Sequence, residues 1–305
     1  MKIIRTKDDS LDVKKMFWRQ SSFIPGTSWS ITGYSRSAYR TGFYIKELDM
    51  MLDAGPQCFN HPSHIFITHC HGDHIASLPF TLIGDKVNAS DTIEKPVIIY
   101  GPQPGKKFIE NYIDTLFTTN AMMKRPSPRS EIDKFYKYSG WDKGDSFNLT
   151  TKGIDLIVEV FKCHHGIPTI SYGFTEIKKK IKPEYIGIPG KEIVELKKNG
   201  TEITHLVTFK KFAYVCDTTI KVFKMNPTLI LYPVIFIECT FLFPEDYELS
   251  KGKKHIHWND LEPYVKSNPN VYFILFHFSQ RYKDKDIGEF VGNLISEGYT
   301  NINWW

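Results

Sequence analysis

The chain has 305 residues, 41% of them hydrophobic and 24% charged, and a formal net charge of +5. Those values exclude a disordered polymer, a low-complexity fibre and a chain too short to bury its own core. The mild positive charge favours acidic partners without requiring them.

Taken in chain order, short β-branched or aromatic runs predict strands at residues 42–45, 65–68, 97–100, 156–161, 212–215, 228–237 and 271–276. Helical spacing falls at residues 105–117, 258–266 and 287–296. This mixture predicts an α/β fold, sheets covered by helices. Residues 177–204 break the rhythm, being rich in lysine and interrupted by Pro183, Gly187, Pro189, Gly190 and Gly200. They read either as a solvated surface loop or as an arm that grips a polyanion. Cys58, Cys70, Cys163, Cys216 and Cys239 are odd in number and have no CxxC spacing, which suits a reducing compartment. Lys2 and Arg5 come too early for a signal-peptide core, and no run is apolar enough to span a bilayer. The expectation is a soluble intracellular protein, cytoplasmic by default, with no membrane partner.

The densest chemistry lies in Thr68-His69-Cys70-His71-Gly72-Asp73-His74, directly after an apolar strand-like run. Imidazoles and a carboxylate so crowded are poor material for a core and good material for metal ligation. His69 and His71 can reach one ion, and Asp73 and His74, beyond Gly72, a second. The donor types suit zinc, with manganese or iron as alternatives. A cluster of surface histidines is the bland alternative. Further donors follow apolar runs in the same manner at Cys163-His164-His165-Gly166, Cys216-Asp217-Thr218 and Phe276-His277-Phe278.

The run from His69 to His74 resembles the HxHxDH signature of the metallo-β-lactamase superfamily, and the later donors fall in that superfamily's order. The resemblance implies a four-layered αβ/βα sandwich with two divalent metal ions at one sheet edge. It implies a single domain over residues 1–305, with a protruding lysine-rich arm inserted at 177–204. One ion would take His69, His71 and His165, the other Asp73, His74 and His277, and Asp217 would bridge them. His165 is preferred to His164 because Pro168 follows it at the family's spacing.

Three later segments resemble the ribonuclease Z family. They are His277-Phe278-Ser279-Gln280-Arg281-Tyr282, Ile237-Glu238-Cys239-Thr240-Phe241, and Lys254-His255-Ile256-His257, in which Lys254 replaces the family's glycine. Arg40-Thr41-Gly42-Phe43 and Leu52-Asp53-Ala54-Gly55-Pro56 are also similar to its opening strands. The resemblance implies a zinc-dependent endoribonuclease that removes 3′ trailers from precursor tRNA by metal-bridged hydroxide attack, leaving a tRNA 3′ hydroxyl. Asp73 would orient the nucleophile, and His255, held by Glu238, would protonate the leaving oxygen, with His257 in reserve. Lys178, Lys179, Lys180, Lys182, Lys191, Lys197, Lys198 and Arg281 would contact RNA phosphates, and the protein would form a homodimer. The alternative is a phosphodiesterase or esterase of the same fold that acts on small molecules.

Overall fold

The computed structural model describes residues 4–5, 16–83, 95–120 and 133–305; Lys2 of the N-terminal run lies outside them. The first part of the chain forms one sheet in sequential order: β1 (Ile4–Arg5), β2 (Gln20–Phe23), β3 (Ser30–Arg36), β4 (Arg40–Ile45), β5 (Met50–Leu52), β6 (His64–Phe66), β7 (Val97–Pro102) and β8 (Tyr136–Trp141). The rest forms a second: β9 (Ser146–Thr151), β10 (Ile154–Lys162), β11 (Ile170–Ile181), β12 (Thr204–Val215), β13 (Val234–Glu238), β14 (Tyr272–Phe276) and β15 (Ile302–Trp304). In both sheets the early strands are antiparallel and the late ones parallel.

Residue patterns follow from that arrangement. β3 alternates buried and half-buried positions because it lies on the antiparallel side, whereas the parallel strand β13, Val-Ile-Phe-Ile-Glu, is buried throughout. Between the sheets, Ile31, Phe43 and Phe66 meet Phe174, Phe212, Tyr214, Phe236 and Phe276. The Phe66 ring stands edge-on to Phe174 at 5.2 Å and that of Phe43 edge-on to Phe276 at 5.6 Å, a favoured aromatic geometry. The outer face of the first sheet is covered by helices Leu78–Ile83 and Lys106–Asn120 through Leu78, Leu82, Ile109 and Ile113. Helices Lys221–Met225, Trp258–Ser267 and Asp284–Ser296 cover the second through Val222, Leu261, Val265, Ile287, Val291 and Leu294. The α/β class is as expected, with helices outside and two sheets within.

The strand expected at 228–237 is a correction. Residues Pro227–Leu231 form a 3-10 turn and the strand starts only at Val234, because Pro227 and Pro233 lack the N–H that a central strand must donate. Residues 177–204 also differ from a plain loop. β11 and β12 stay paired out to Ile181 opposite Thr204, and beyond them a 3-10 turn, Pro183–Tyr185, and a helix, Gly190–Lys198, have no buried residue. From Tyr172 opposite Tyr214 to that end, the strand rise gives ~30 Å. No helix among the described residues is long and apolar enough to cross a membrane.

Candidate metal centre

The donors gather where both sheets present the carboxyl ends of strands. His69, His71, Asp73 and His74 follow β6; His165 follows β10, Asp217 follows β12 and His277 follows β14. Asp73 and His74 swing away from His69 and His71 on one helical turn, Gly72–Ile75. A Cβ at Gly72 would meet nothing within 4 Å, so the turn itself, not glycine's freedom, separates the two pairs. Gly55 is the glycine the site does need: a Cβ there would stand 2.0 Å from the Asp73 carbonyl oxygen.

One group of donor atoms comprises His69, His71, His165 and Asp217; a second contains His74, Asp217 and His277. Asp217 presents one oxygen to each. Its Oδ2 is 3.3 Å from His69 Nε2 and 3.5 Å from His165 Nε2, while Oδ1 is 3.1 Å from His277 Nε2 and 3.5 Å from His74 Nε2. Asp73 Oδ2 completes the second group, at 3.4 Å from His74 Nε2 and 3.5 Å from His277 Nε2. Ligands ~2.0–2.1 Å from a tetrahedral zinc stand roughly 3.3 Å apart, the spacing seen here.

The tautomers are set by the groups behind each ring. His74 Nδ1 donates to Asp53 Oδ2 at 3.0 Å and His165 Nδ1 to the Lys254 carbonyl at 3.2 Å. His277 Nδ1 meets the Thr240 hydroxyl at 3.1 Å, whose own proton goes to Glu238 Oε2. His69 Nδ1 meets the Thr68 hydroxyl at 3.0 Å, whose proton goes to Asp53. With Nδ1 protonated in each ring, Nε2 is the nitrogen that all four turn toward the centre. His74 Nε2 and His277 Nε2 are buried without any hydrogen-bond partner, an arrangement that costs free energy until a cation accepts the lone pairs. The residues therefore fit a pair of metal ions.

Charge supports the fit. Burial, reinforced by His74, pushes the His69 imidazole down to about 4, and burial also lowers His71 and His165, so these three rings are neutral donors at neutral pH, whereas at His74 burial is outweighed by neighbouring groups, Asp217 foremost, that hold it well above its usual range. Burial opposes ionisation of Asp217, but His277, His74 and His69 outweigh it and hold the carboxyl well below its usual range. Burial pushes the Cys216 thiol well up, so it stays a neutral donor to Asp217 Oδ1 at 3.2 Å. Asp53, Asp217 and His277 all hold left-handed backbone, φ 53°, 27° and 65°, a strain of about 1–3 kcal/mol each that the surrounding hydrogen bonds must offset.

Beside the donors, fully buried Glu238 accepts from Thr218 N–H and His255 Nδ1 through Oε1, both at 2.9 Å, and from Thr240 through Oε2. The His255 ring lies 5.0 Å from that of His165. His257 is elsewhere engaged: its Nδ1 caps the helix Trp258–Ser267 by accepting from Asn259 N–H, and its Nε2 donates to the Phe243 carbonyl. His164 stays outside both donor groups, with Nδ1 at 3.0 Å from the Thr219 hydroxyl. Lys178, Lys179, Lys180, Lys191, Lys197 and Lys198 are exposed and Lys182 is half-buried, all at the far end of β11 and β12. Lys178 pairs with Glu176 at 3.1 Å and Arg281 with Asp246 at 2.7 Å.

Sequence reasoning missed Asp53 as a functional residue, although the segment that holds it stood out. Buried Asp53 accepts from Thr68, His74 and the Tyr214 hydroxyl. Ala38, at the tip of the β3–β4 hairpin, was missed as well, and its N–H donates to Asp73 Oδ2 at 2.8 Å. An Asp after an apolar run was a legible signal; a backbone N–H is not.

No family model matches the chain. It is similar to tRNase Z TRZ1 of Arabidopsis thaliana, at 30% identity over 271 residues that cover 87% of this chain and 91% of that protein. It is similar also to Ribonuclease Z of Macrococcus caseolyticus, at 28% identity over 256 residues, covering 76% and 75%. Among solved structures, the metallo-β-lactamase fold protein YhfI of Bacillus subtilis superposes with a TM-score of 0.54 at 12% identity, covering 89% of this chain and 93% of that one. The human tRNase Z short form superposes at 0.50 and 17% identity, covering 81% and 91%. The sandwich has the metallo-β-lactamase fold, and its paired donor groups together with the 30% identical relative make it a metal-dependent hydrolase. Within that superfamily, the chain belongs to the ribonuclease Z (tRNase Z) family and is a nuclease of that type.

Proposed function

We propose that the protein is an endoribonuclease that removes 3′ trailers from precursor tRNA, leaving a 3′ hydroxyl on the tRNA, with two zinc ions as its metals. The observation that carries this reading is the Asp217 carboxylate, one oxygen toward each of two donor groups, with the Glu238–His255 pair beside them. His69, His71 and His165 would hold one ion, Asp73, His74 and His277 the other, and Asp217 both. When bound, such ions supply Lewis acidity, lowering the pKa of water and offsetting charge on phosphoryl oxygens.

The chain's own residues do the rest. Burial opposes ionisation of Asp73, but the neighbouring His277 and His74 outweigh it and hold the carboxyl far below its usual range. Asp73 is therefore an anion, placed to orient the attacking water and to accept its proton. Burial alone would lower the His255 imidazole, yet the Glu238 carboxylate prevails and raises its pKa to about 9. His255 is thus charged at neutral pH and supplies the proton to the leaving 3′ oxygen. His257, with both nitrogens occupied, does not serve.

The arm at 177–204 and its lysines would hold the tRNA by its backbone, at a distance from the cut that matches shape recognition of a folded RNA. In their ion pairs Lys178 and Arg281 keep half or more of the side chain exposed, so a phosphate can reach them. A homodimer belongs to this reading, and light scattering tests it. The decisive experiment incubates the protein with labelled precursor tRNA and maps the cut. A single cut near the discriminator base with a 3′ hydroxyl on the tRNA supports the reading; an untouched precursor alongside turnover of a small phosphodiester sinks it.

A further inference from the structure

A cleft of about 680 Å³ opens directly off His165, lined by Pro102, Pro104, Lys143, Lys162, His164 and Ile167 among others. It lies where the end of β7 on the first sheet faces the loop after β10 on the second. Its volume falls in the range of small-ligand sites, roughly 300–1,000 Å³. The prolines and Ile167 give it flat apolar walls, and Asp142 sets one negative charge against Lys143 and Lys162.

Its edge is more basic than its lining. Lys162 ends β10, Lys221 opens the helix Lys221–Met225, and Lys254 precedes His255. All three are exposed. Among the described residues none forms an ion pair with a carboxylate. Hydrogen bonds bring their backbones to the cleft: Lys162 is part of its lining, Thr219 N–H, two residues before Lys221, donates to the His164 carbonyl at 3.1 Å, and the Lys254 carbonyl accepts from His165 at 3.2 Å. Three ammonium groups clustered without a counter-ion repel one another, and an anion seated among them relieves that repulsion.

Lys254 carries a second signal. It caps the helix Tyr247–Lys253 with φ 58°, a left-handed conformation that glycine adopts freely and lysine only at a cost of roughly 1–2 kcal/mol. Its carbonyl orients His165, a task that any residue performs. What lysine adds here is therefore its side chain, a charge placed beside the centre.

We infer that this cleft, with Lys162, Lys221 and Lys254 along its edge, binds the phosphate backbone of the single-stranded RNA that adjoins the scissile bond. The inference rests on the nuclease reading above and adds to it a binding site separate from the distant arm. Each lysine neutralises one phosphate, and the apolar walls receive the bases.

The test uses an Asp73→Ala chain, which cannot cut, and a precursor tRNA with a 3′ trailer, with affinity measured over a salt series. Lys162→Ala, Lys221→Ala and Lys254→Gly should each flatten the slope of log affinity against log salt by about 0.7, the single-strand value per phosphate. Lys254→Gly should also melt no lower than the parent, since glycine relieves the backbone strain, which separates lost charge from lost folding. With Asp73 restored, Lys162→Ala and Lys221→Ala should raise KM for the precursor and leave turnover of bis(p-nitrophenyl) phosphate within about twofold. Unchanged salt slopes overturn the inference. So does an equal loss on the small ester, which would place the lysines in support of the metal ligands. If the parent with Asp73 intact leaves precursor tRNA uncut, the proposed function falls, whereas the salt slopes report on the cleft independently.

Discussion

The two ends of the β11–β12 pair are built on opposite principles. At one end Asp217 and its neighbours are buried, their backbones strained and nearly every donor and acceptor matched. At the other, the helix Gly190–Lys198 buries no residue and its lysines stand in solvent. The first end must place atoms to a fraction of an ångström before any substrate arrives, and it pays in strain and desolvation. On the proposed reading the second would have only to offer charge to a large, curved anion, for which exposure is an advantage and position matters less.

That contrast can be broken in graded ways. The largest effect is expected from Asp217→Ala, which removes an oxygen from both donor groups; elemental analysis should find fewer than two metal ions per chain, and cleavage of every substrate should vanish. Two ions retained would show that the bridging geometry is dispensable. Next, His255→Ala should lower kcat on precursor RNA by about 10²–10⁴-fold while sparing a p-nitrophenyl ester, whose leaving group needs no proton. An equal loss on both would remove His255 as the acid. Asp53→Asn should weaken metal affinity by about 10–100-fold, the usual effect of a group that orients a ligand imidazole; titration with a chelator measures it. Deleting the tip of the arm, residues 183–200, should raise KM for precursor tRNA, leave the small ester unaffected and change stability little, since its turn and helix bury no side chain.

The pH dependence follows from the His255–Glu238 pair. The His255 pKa is raised above 6.5 in the folded protein, so the pairing contributes fully below that value and is lost as pH climbs through about 9. Cleavage should hold up to about pH 9 and fall beyond it. In Glu238→Gln the fall should move to lower pH, because burial then acts on the imidazole without the opposing carboxylate. An unshifted profile would assign the limb to another group.

How much of this the sequence discloses depends on what kind of group is at work. His69, His71, Asp73 and His74 are legible because imidazoles and a carboxylate crowded into six positions serve metal ligation far better than they serve packing. Asp217 and His277 follow apolar runs, a weak signal for either alone, and His165 is told from His164 only by the family's spacing to Pro168. The resting places of protons are not: Thr68 and Thr240 read as ordinary hydroxyls until the fold sets them behind His69 and His277. The same holds for the fold. Fully apolar strands such as β13 announce themselves, whereas β3, with Ser, Thr, Gly and Tyr in alternation, gives a weak pattern. The run at 228–237 misleads because its composition suits a strand while Pro227 and Pro233 forbid one.

The seam between the sheets has a consequence for how the molecule matures. Residues before β9 furnish His69, His71, Asp73 and His74, and residues after it furnish His165, Asp217 and His277. Each proposed ion therefore draws half its ligands from either portion of the chain, and neither portion alone offers a complete set. Full loading of either proposed site would need both portions in place, and bound ions would add a tie between them, so a chelator should lower the melting temperature of the metal-loaded protein.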